Sequence, residues 1–405
     1  MIKKVLILTS TNLSCNPRCL KEIRLLVSKN IHVTLVAFRL HNWTDEIEES
    51  LKAELNEVEY YYLETTKKHF IPWLFASFLE RIAFLFAPLF PNNIFTQSIA
   101  VSKRSWMLLA WSKKWDGYTD LVIAHNPAAF YPAYYLFKKK RIPFALDIED
   151  YHPGEGKNIN KQSSVSLLMK SLIPKSIYTS YASPYIKIYS EKLFLPNAKY
   201  VGIVVNNIFS NDEFLAPIIN EQWNKKIKFV WFSQIIDYGR GLEQVLSVFD
   251  NFQNSITLTL IGNLRNVFFE KEIKHRIYVE HISPLSQIDL HKKLNQFDVG
   301  LAIENIEEDL NRSLCLTNKI WAYFQAGLYI LATDTIAQIE FMNAYPTHGA
   351  LSKLEYNSFN EAVSNILDNG DEIIRGKESR FDIASKNGWE SESNKLLAKW
   401  SNISK

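Results

Sequence analysis

Cysteine is nearly absent: three residues in 405, Cys15, Cys19 and Cys315. Their spacing forms neither a metal-ligand pair nor a disulfide framework, as expected of a chain in a reducing cytoplasm. An excess of one charge is also missing. The 46 basic and 43 acidic residues leave a net charge of +3, which argues against a dedicated nucleic-acid binder. The first apolar run, Val5–Leu8, is shorter than a secretory core and polar residues follow it at once. Neither half carries a G-x-G-x-x-G turn after a strand, which removes the dinucleotide fingerprint. No repeat of solenoid period and no low-complexity tract is found.

What remains is a globular composition, 47% hydrophobic and 22% charged, in a chain long enough for two domains. Val5–Thr9 reads as a buried strand and Thr9–Asn16 as a polar loop. Asn16 is placed to cap a helix with Pro17 at its first position, and His32–Phe38 returns as a strand. This β–loop–α–β opening is of doubly wound type. Asp120–His125 is a further strand followed by Asn126, and Phe144–Leu146 begins another that runs into DIEDYHPGEG, Asp147–Gly156. Asp147, Glu149, Asp150 and His152 thus gather at a strand's carboxyl end, where open α/β sheets bind ligands. Carboxylates there can deprotonate an acceptor hydroxyl; a solvated turn is the competing reading, and a metal site a weaker one. Lys67–Phe95, rich in Phe and interrupted by Glu80, Arg81 and prolines, is too broken to span a bilayer. It reads either as helices packed on the first sheet or as a surface resting in the membrane interface. In the second reading Trp73 and the Phe residues insert, and Lys67, Lys68, Arg81, Lys103 and Arg104 meet lipid phosphates.

The second half restarts the pattern. Lys228–Phe232 reads as a strand, Ser233–Arg240 as a loop, and Gly241–Phe252 as an amphipathic helix. The loop SQIIDYGRG includes Ser233 and Gln234 and sets Gly239, Arg240 and Gly241 at a helix start. Small residues there let backbone N–H groups approach a phosphate, and Arg240 adds a fixed charge. Thr257–Ile261 is the next strand, ending at Gly262; Asp298–Ile303 is another, ending at Glu304, with the acidic tract Glu307–Asp309 after it. In Asn311–Thr335, Asn318 is placed to cap a helix that Gly327 ends, and Leu328–Ala332 has strand length. Asn311, Arg312, Thr317, Asn318 and Lys319 crowd the helix start, a natural place for an anion.

This last stretch resembles the donor-binding helix of GT-B glycosyltransferases close to family 4. There a segment Asn-Lys-apolar-x-Glu-Tyr-x-x-x-Gly precedes a strand; Asn318, Lys319, Tyr323 and Gly327 match it. The two acidic positions of the family's paired-glutamate motif hold Leu314 and Ala322 instead. The resemblance implies an α/β chain of GT-B architecture, two Rossmann-like doubly wound domains facing across a cleft. Residues 1–210 would form the acceptor domain and 224–388 the donor domain, joined near Phe209–Trp223, with 389–405 a last helix crossing back to the first. The donor side would comprise Ser233, Gln234, Gly239, Arg240, Gly241, Gly262, Glu304, Asn311, Arg312, Thr317, Asn318, Lys319 and Tyr323. Glu304 would supply the ribose or sugar contact that Ala322 cannot make. Asn16, Arg18, His125 and Asn126 would stand on the acceptor side, with Asp147, Glu149, Asp150 and His152 as catalytic candidates.

The activity so implied is metal-independent sugar transfer, with no cofactor and a nucleotide-diphosphate sugar as co-substrate. The acceptor would be a glycan or lipid-linked hydroxyl in bacterial cell-surface polysaccharide synthesis. The expected place is the cytoplasm, in peripheral contact with the inner membrane, with no nucleic-acid partner. Two alternatives stand beside this: a non-catalytic GT-B glycan-binding or scaffold subunit, and a GT-B sugar-nucleotide epimerase.

Overall fold

The computed structural model describes residues 2–42, 44–66, 70–194, 200–217, 226–305 and 310–403. Lys67, Lys68, the tract Glu307–Asp309 and part of the expected boundary at Phe209–Trp223 lie outside the described residues. The chain divides into two compact units, one of Met1–Asn206 with Ser393–Lys405 and one of Asn207–Glu392.

In the first unit the strands are β1 (Lys4–Thr9), β2 (His32–Arg39), β3 (Glu59–Glu64), β4 (Leu121–His125), β5 (Phe144–Ile148), β6 (Thr179–Tyr181) and β7 (Gly202–Val204). They form one sheet in the order β3-β2-β1-β4-β5-β6-β7, with parallel pairing throughout. β1, β4 and β5 are almost wholly buried apolar runs, as strands covered by helices on both faces must be. The order turns outward in both directions from β1 and β4, so the loops after these two strands flank a switch point. The helix Pro17–Ser28 starts as its sequence demands: the Asn16 side chain accepts from Cys19 N at 3.0 Å and Pro17 takes the first position.

The second unit's strands are β8 (Ile227–Ile236), β9 (Ile256–Leu264), β10 (Val279–Ile282), β11 (Val299–Ala302), β12 (Tyr329–Thr333) and β13 (Gly349–Ser352). Their order is β10-β9-β8-β11-β12-β13, again all parallel, with the switch between β8 and β11. One cluster of buried residues, including Phe229, Trp231, Phe249, Leu258 and Phe359, fills the interior.

Ser233 and Gln234 correct the sequence reading. They continue β8 through a register shift at Phe232/Ile235, and the loop begins only after Ile236. Gly262 explains why this packs: at φ 147° it lies so close that a Cβ would stand 1.9 Å from the Ser233 carbonyl oxygen. The chain passes there only as glycine. A second correction concerns Phe70–Leu89, which is helical throughout, as the α-helix Phe70–Phe86 followed by a short 3-10 turn. Pro72 falls in its first turn, where no intrahelical N–H is needed. By length and composition this stretch reaches what a membrane-crossing helix requires. Its outer face is bare: Ile71 is 78% exposed, Leu85 71% and Leu89 70%.

Candidate functional site

In the second unit the loop after β8 carries Gly239 and Gly241 with φ of 78° and 81°, and Arg240 exposed between them. Gly241 also sits where a Cβ would meet Ile303 and Leu354 at 2.8 Å. It opens the helix Leu242–Phe249, whose first turn receives no side-chain cap. The Gly239 N–H donates to Glu243 Oε1 at 2.7 Å, which fixes the turn.

Across the switch point, the helix Asn318–Gln325 begins one residue earlier than a cap at Asn318 would place it. Thr317 holds the capping position without making a capping hydrogen bond, and its Oγ1 is buried with no partner among the described residues. Lys319 lies in the first turn. Its Nζ is 3.2 Å from Glu304 Oε1, just beyond β11, and 5.8 Å from the ring centre of Trp231. Both side chains of the pair are largely enclosed, 13% and 7% exposed. The Glu304 backbone N–H donates to Thr333 Oγ1 at 3.0 Å, tying the end of β11 to β12. Asn311 is buried and Arg312 half-buried in the short helix Leu310–Leu314.

Tyr323 does not belong with these residues. It is fully buried, its ring packs where a Cβ on Gly300 would come within 2.3 Å, and Phe232 meets it edge-on. That tyrosine holds the helix to β11 and has no face left for a ligand. Gly262, pressed on Ser233, is likewise a packing residue.

In the first unit the expected catalytic cluster separates into two layers. Asp147, Arg18 and His125 form the inner one, each at most 3% exposed. Asp147 accepts from Arg18 Nε at 2.8 Å and from Ser180 Oγ at 2.5 Å, while His125 Nδ1 lies 3.3 Å from its Oδ2. His125 Nε2 reaches Glu22 at 2.8 Å, and Arg18 Nη1 donates to the Val205 carbonyl at 2.5 Å. Burial alone would raise the Asp147 carboxyl, but the Arg18 charge and His125 outweigh it and hold it well below the usual carboxylate range. Burial would lower His125, and Cys19, Asp147 and Glu22 around it hold it well above its ordinary value. These charges neutralise one another inside the fold. Asp147 as a base, and Arg18 and His125 as acceptor contacts, are corrected by this burial.

The outer layer is Glu149, Asp150 and His152. Glu149 is half-buried, and burial followed by repulsion from Asp147 and Asp150 pushes its carboxyl up to about 7. His152 is buried; its Nδ1 is 2.7 Å from Glu155 Oε2 and its Nε2 has no partner among the described residues. Asn16 and Asn126 join the two loops at the switch point: Asn16 Nδ2 lies 3.4 Å from both Thr9 Oγ1 and Asn126 Oδ1. Asn126 itself has φ 68° and ψ 151°, a region normally kept for glycine. Among the described residues no group of three or more His, Cys, Asp or Glu is arranged to hold a metal ion.

No protein-family model matches the sequence, and no curated protein matches it. Solved structures do. HepE of Anabaena, crystallised with UDP, superposes with a TM-score of 0.67 at 11% identity, over 98% of this chain and 99% of its own. Sucrose-phosphate synthase of Thermosynechococcus elongatus gives 0.69 at 11% identity, over 99% of both chains. TarM gives 0.64 at 9% identity, over 98% of this chain and 99% of its own.

The chain has the GT-B fold.

Within a GT-B frame the two departures from the paired-glutamate motif become physically clear. Leu314 and Ala322 are both fully buried, so apolar packing fills both positions. The carboxylate that meets Lys319 comes instead from Glu304, at the end of a neighbouring strand. Lys157 and Lys161, absent from the site residues expected from the sequence, flank the helix cap Asn158 after β5. The signal was there: a basic pair around an Asn three residues before a helical backbone N–H, following a strand end.

Proposed function

We propose that this GT-B protein transfers a sugar from a nucleotide-diphosphate sugar to a hydroxyl of a glycan or lipid-linked acceptor. The observation that carries this reading is the Lys319–Glu304 pair at the switch point of the second sheet, beside two helix starts without side-chain caps. Backbone N–H groups and the Lys319 ammonium are suited to the charge that develops on a departing diphosphate. Arg240, on its glycine-flanked turn, adds paired donors. Glu304 holds Lys319 in place and is the carboxylate available to a ribose or sugar hydroxyl. HepE was crystallised with UDP, which makes a uridine carrier the first to test.

On the acceptor side Glu149 is the base. With its carboxyl near 7 it takes the proton of the acceptor hydroxyl as oxygen attacks the anomeric carbon and the bond to the diphosphate breaks. In a retaining transfer the same group orients that hydroxyl. The reaction takes place at the cytoplasmic face of the membrane, with the bare face of Phe70–Leu89 in the lipid interface and the product entering the cell-surface polysaccharide.

A thermal-shift series with UDP, GDP, TDP, CMP and their sugars tests the donor site. One nucleotide should raise the midpoint in a concentration-dependent way, by about 2.7 kcal/mol of stabilisation at a hundredfold excess over its Kd. Lys319→Ala should remove that shift. No shift with any of them removes the donor reading and leaves a non-catalytic subunit.

A further inference from the structure

A cavity of about 510 Å³ opens in the first unit among the loops that follow β1, β4 and β5. Three helices begin on its wall. The helix Lys103–Lys114 starts at Ser102 and Arg104, the helix Pro127–Lys140 at Pro127, and the helix Ile159–Leu172 at Asn158 and Lys161. Two are capped by their own Ser102 and Asn158 side chains, while the Pro127 helix has no side-chain cap. Each directs the positive end of its backbone dipole toward the cavity.

The side chains have the same sign. Arg104 lines the cavity, steadied by its Nη1 donating to the Ser10 carbonyl at 2.6 Å, and Lys157 and Lys161, both exposed, line it too. The carboxylate in the lining, Glu155, is taken up by His152 Nδ1 at 2.7 Å. His152, 8% exposed, also lines the cavity, and its Nε2 is buried without a partner among the described residues. Burial opposes protonation of this ring, but the Glu155 carboxylate on Nδ1, with Asp150 and Glu149 near it, outweighs that and raises the His152 pKa; the protonated ring then presents Nε2–H as a donor awaiting an acceptor.

A bare apolar helix adjoins the segment that carries Ser102 and Arg104. Lys103, between Ser102 and Arg104, reaches Ser77 at 3.3 Å and lies 4.8 Å from the ring centre of Trp73, both on the bare helix Phe70–Phe86.

We infer that this cavity binds a phosphate or diphosphate group of the acceptor, carried on a lipid whose chain lies along Phe70–Leu89. The inference rests on the transfer reading for its role, but its binding step can be measured without a donor.

The probe is inorganic pyrophosphate, titrated calorimetrically into the full chain as Lys319→Ala and Lys319→Ala/Lys157→Gln/Lys161→Gln. The last two substituted side chains are exposed, so the fold is kept. Lys319→Ala disables the donor site for pyrophosphate, so the comparison is made in that background: Lys319→Ala should keep one pyrophosphate site, and Lys319→Ala/Lys157→Gln/Lys161→Gln should bind at least about tenfold more weakly, the loss expected for charge-assisted hydrogen bonds. Equal binding by these two variants, or no binding by Lys319→Ala, overturns the site. A failed nucleotide screen would leave this titration unchanged, so the two readings fail separately. Flotation with phosphatidylcholine vesicles, with and without phosphatidic acid, tests the lipid. Wild type should prefer the acidic vesicles and Lys157→Gln/Lys161→Gln should lose that preference. Pyrophosphate binding without a vesicle preference overturns the lipid carrier and assigns a soluble phosphorylated acceptor.

Discussion

Arg18 Nε lies 2.9 and 2.8 Å from the two carboxylate oxygens of Asp147, a residue 129 positions away, and both side chains are enclosed. Four charged or chargeable groups, Glu22, His125, Asp147 and Arg18, thereby share one buried network that joins the first helix to β4 and β5. Removing one member leaves its partner charged and dry. Arg18→Met should therefore destabilise the first unit by about 3–5 kcal/mol. Arg18→Met/Asp147→Leu, which removes both charges of the pair, should lose less than Arg18→Met alone. Urea unfolding of the variants decides; a double variant worse than the single one contradicts the pairing.

Glu149 has the opposite character. Its carboxyl is raised to about 7, so folding favours its protonated form. A raised acid stabilises most below its unfolded pKa, and that contribution is lost as pH rises through the folded value. Glu149→Gln should consequently be more heat-stable than wild type at pH 8, with the gap closing below about pH 5. Its transfer rate should fall by about 10²–10⁴. Wild-type kcat/KM should rise through pH 7, and that limb should vanish in Glu149→Gln. Equal melting of the two proteins at pH 8 would show that the carboxyl is not raised.

Asn126 is held at φ 68° and ψ 151°, a conformation costing an Asn on the order of 1–3 kcal/mol. Glycine takes this conformation freely, so Asn126→Gly should melt at or above the wild-type temperature. It also removes the Oδ1 that meets Asn16 and Thr9, so KM for the acceptor should rise. A lower melting temperature would mean that the side chain, not the backbone, governs this turn.

How much was legible in the sequence follows from the range of the forces involved. Asn16-Pro17 marks the start of the helix Pro17–Ser28, and Gly327, at φ 69°, the stop after the helix Asn318–Gln325, because caps act within four residues. Strand runs such as Val5–Leu8 and Leu121–Ala124 were plain because parallel strands buried on both faces are continuously apolar. Pairings set by topology were not. Nothing near Asp147 in the chain foretold Arg18, and nothing near Tyr323 foretold Gly300 beneath its ring. β8 runs past the end its sequence suggests, because the polar Ser233 and Gln234 read as a loop while backbone pairing with β9 resumes at Ile235 and Ile236. The cavity of Arg104, Lys157 and Lys161 draws on segments more than fifty positions apart, beyond what local spacing can convey.

The helix Trp389–Asn402 has a consequence for synthesis. From Ser393 on it belongs to the first unit, where Leu396 and Trp400 are buried and the Trp400 indole N–H donates to Tyr178 at 2.9 Å. The first unit's core is thus completed by residues translated after the entire second unit. At ~5–20 residues per second, the nascent sheet waits roughly ten to forty seconds after Asn206 emerges before its last tryptophan arrives. Through that interval Tyr178 and its neighbours lack their cover, a span in which chaperones have a surface to hold.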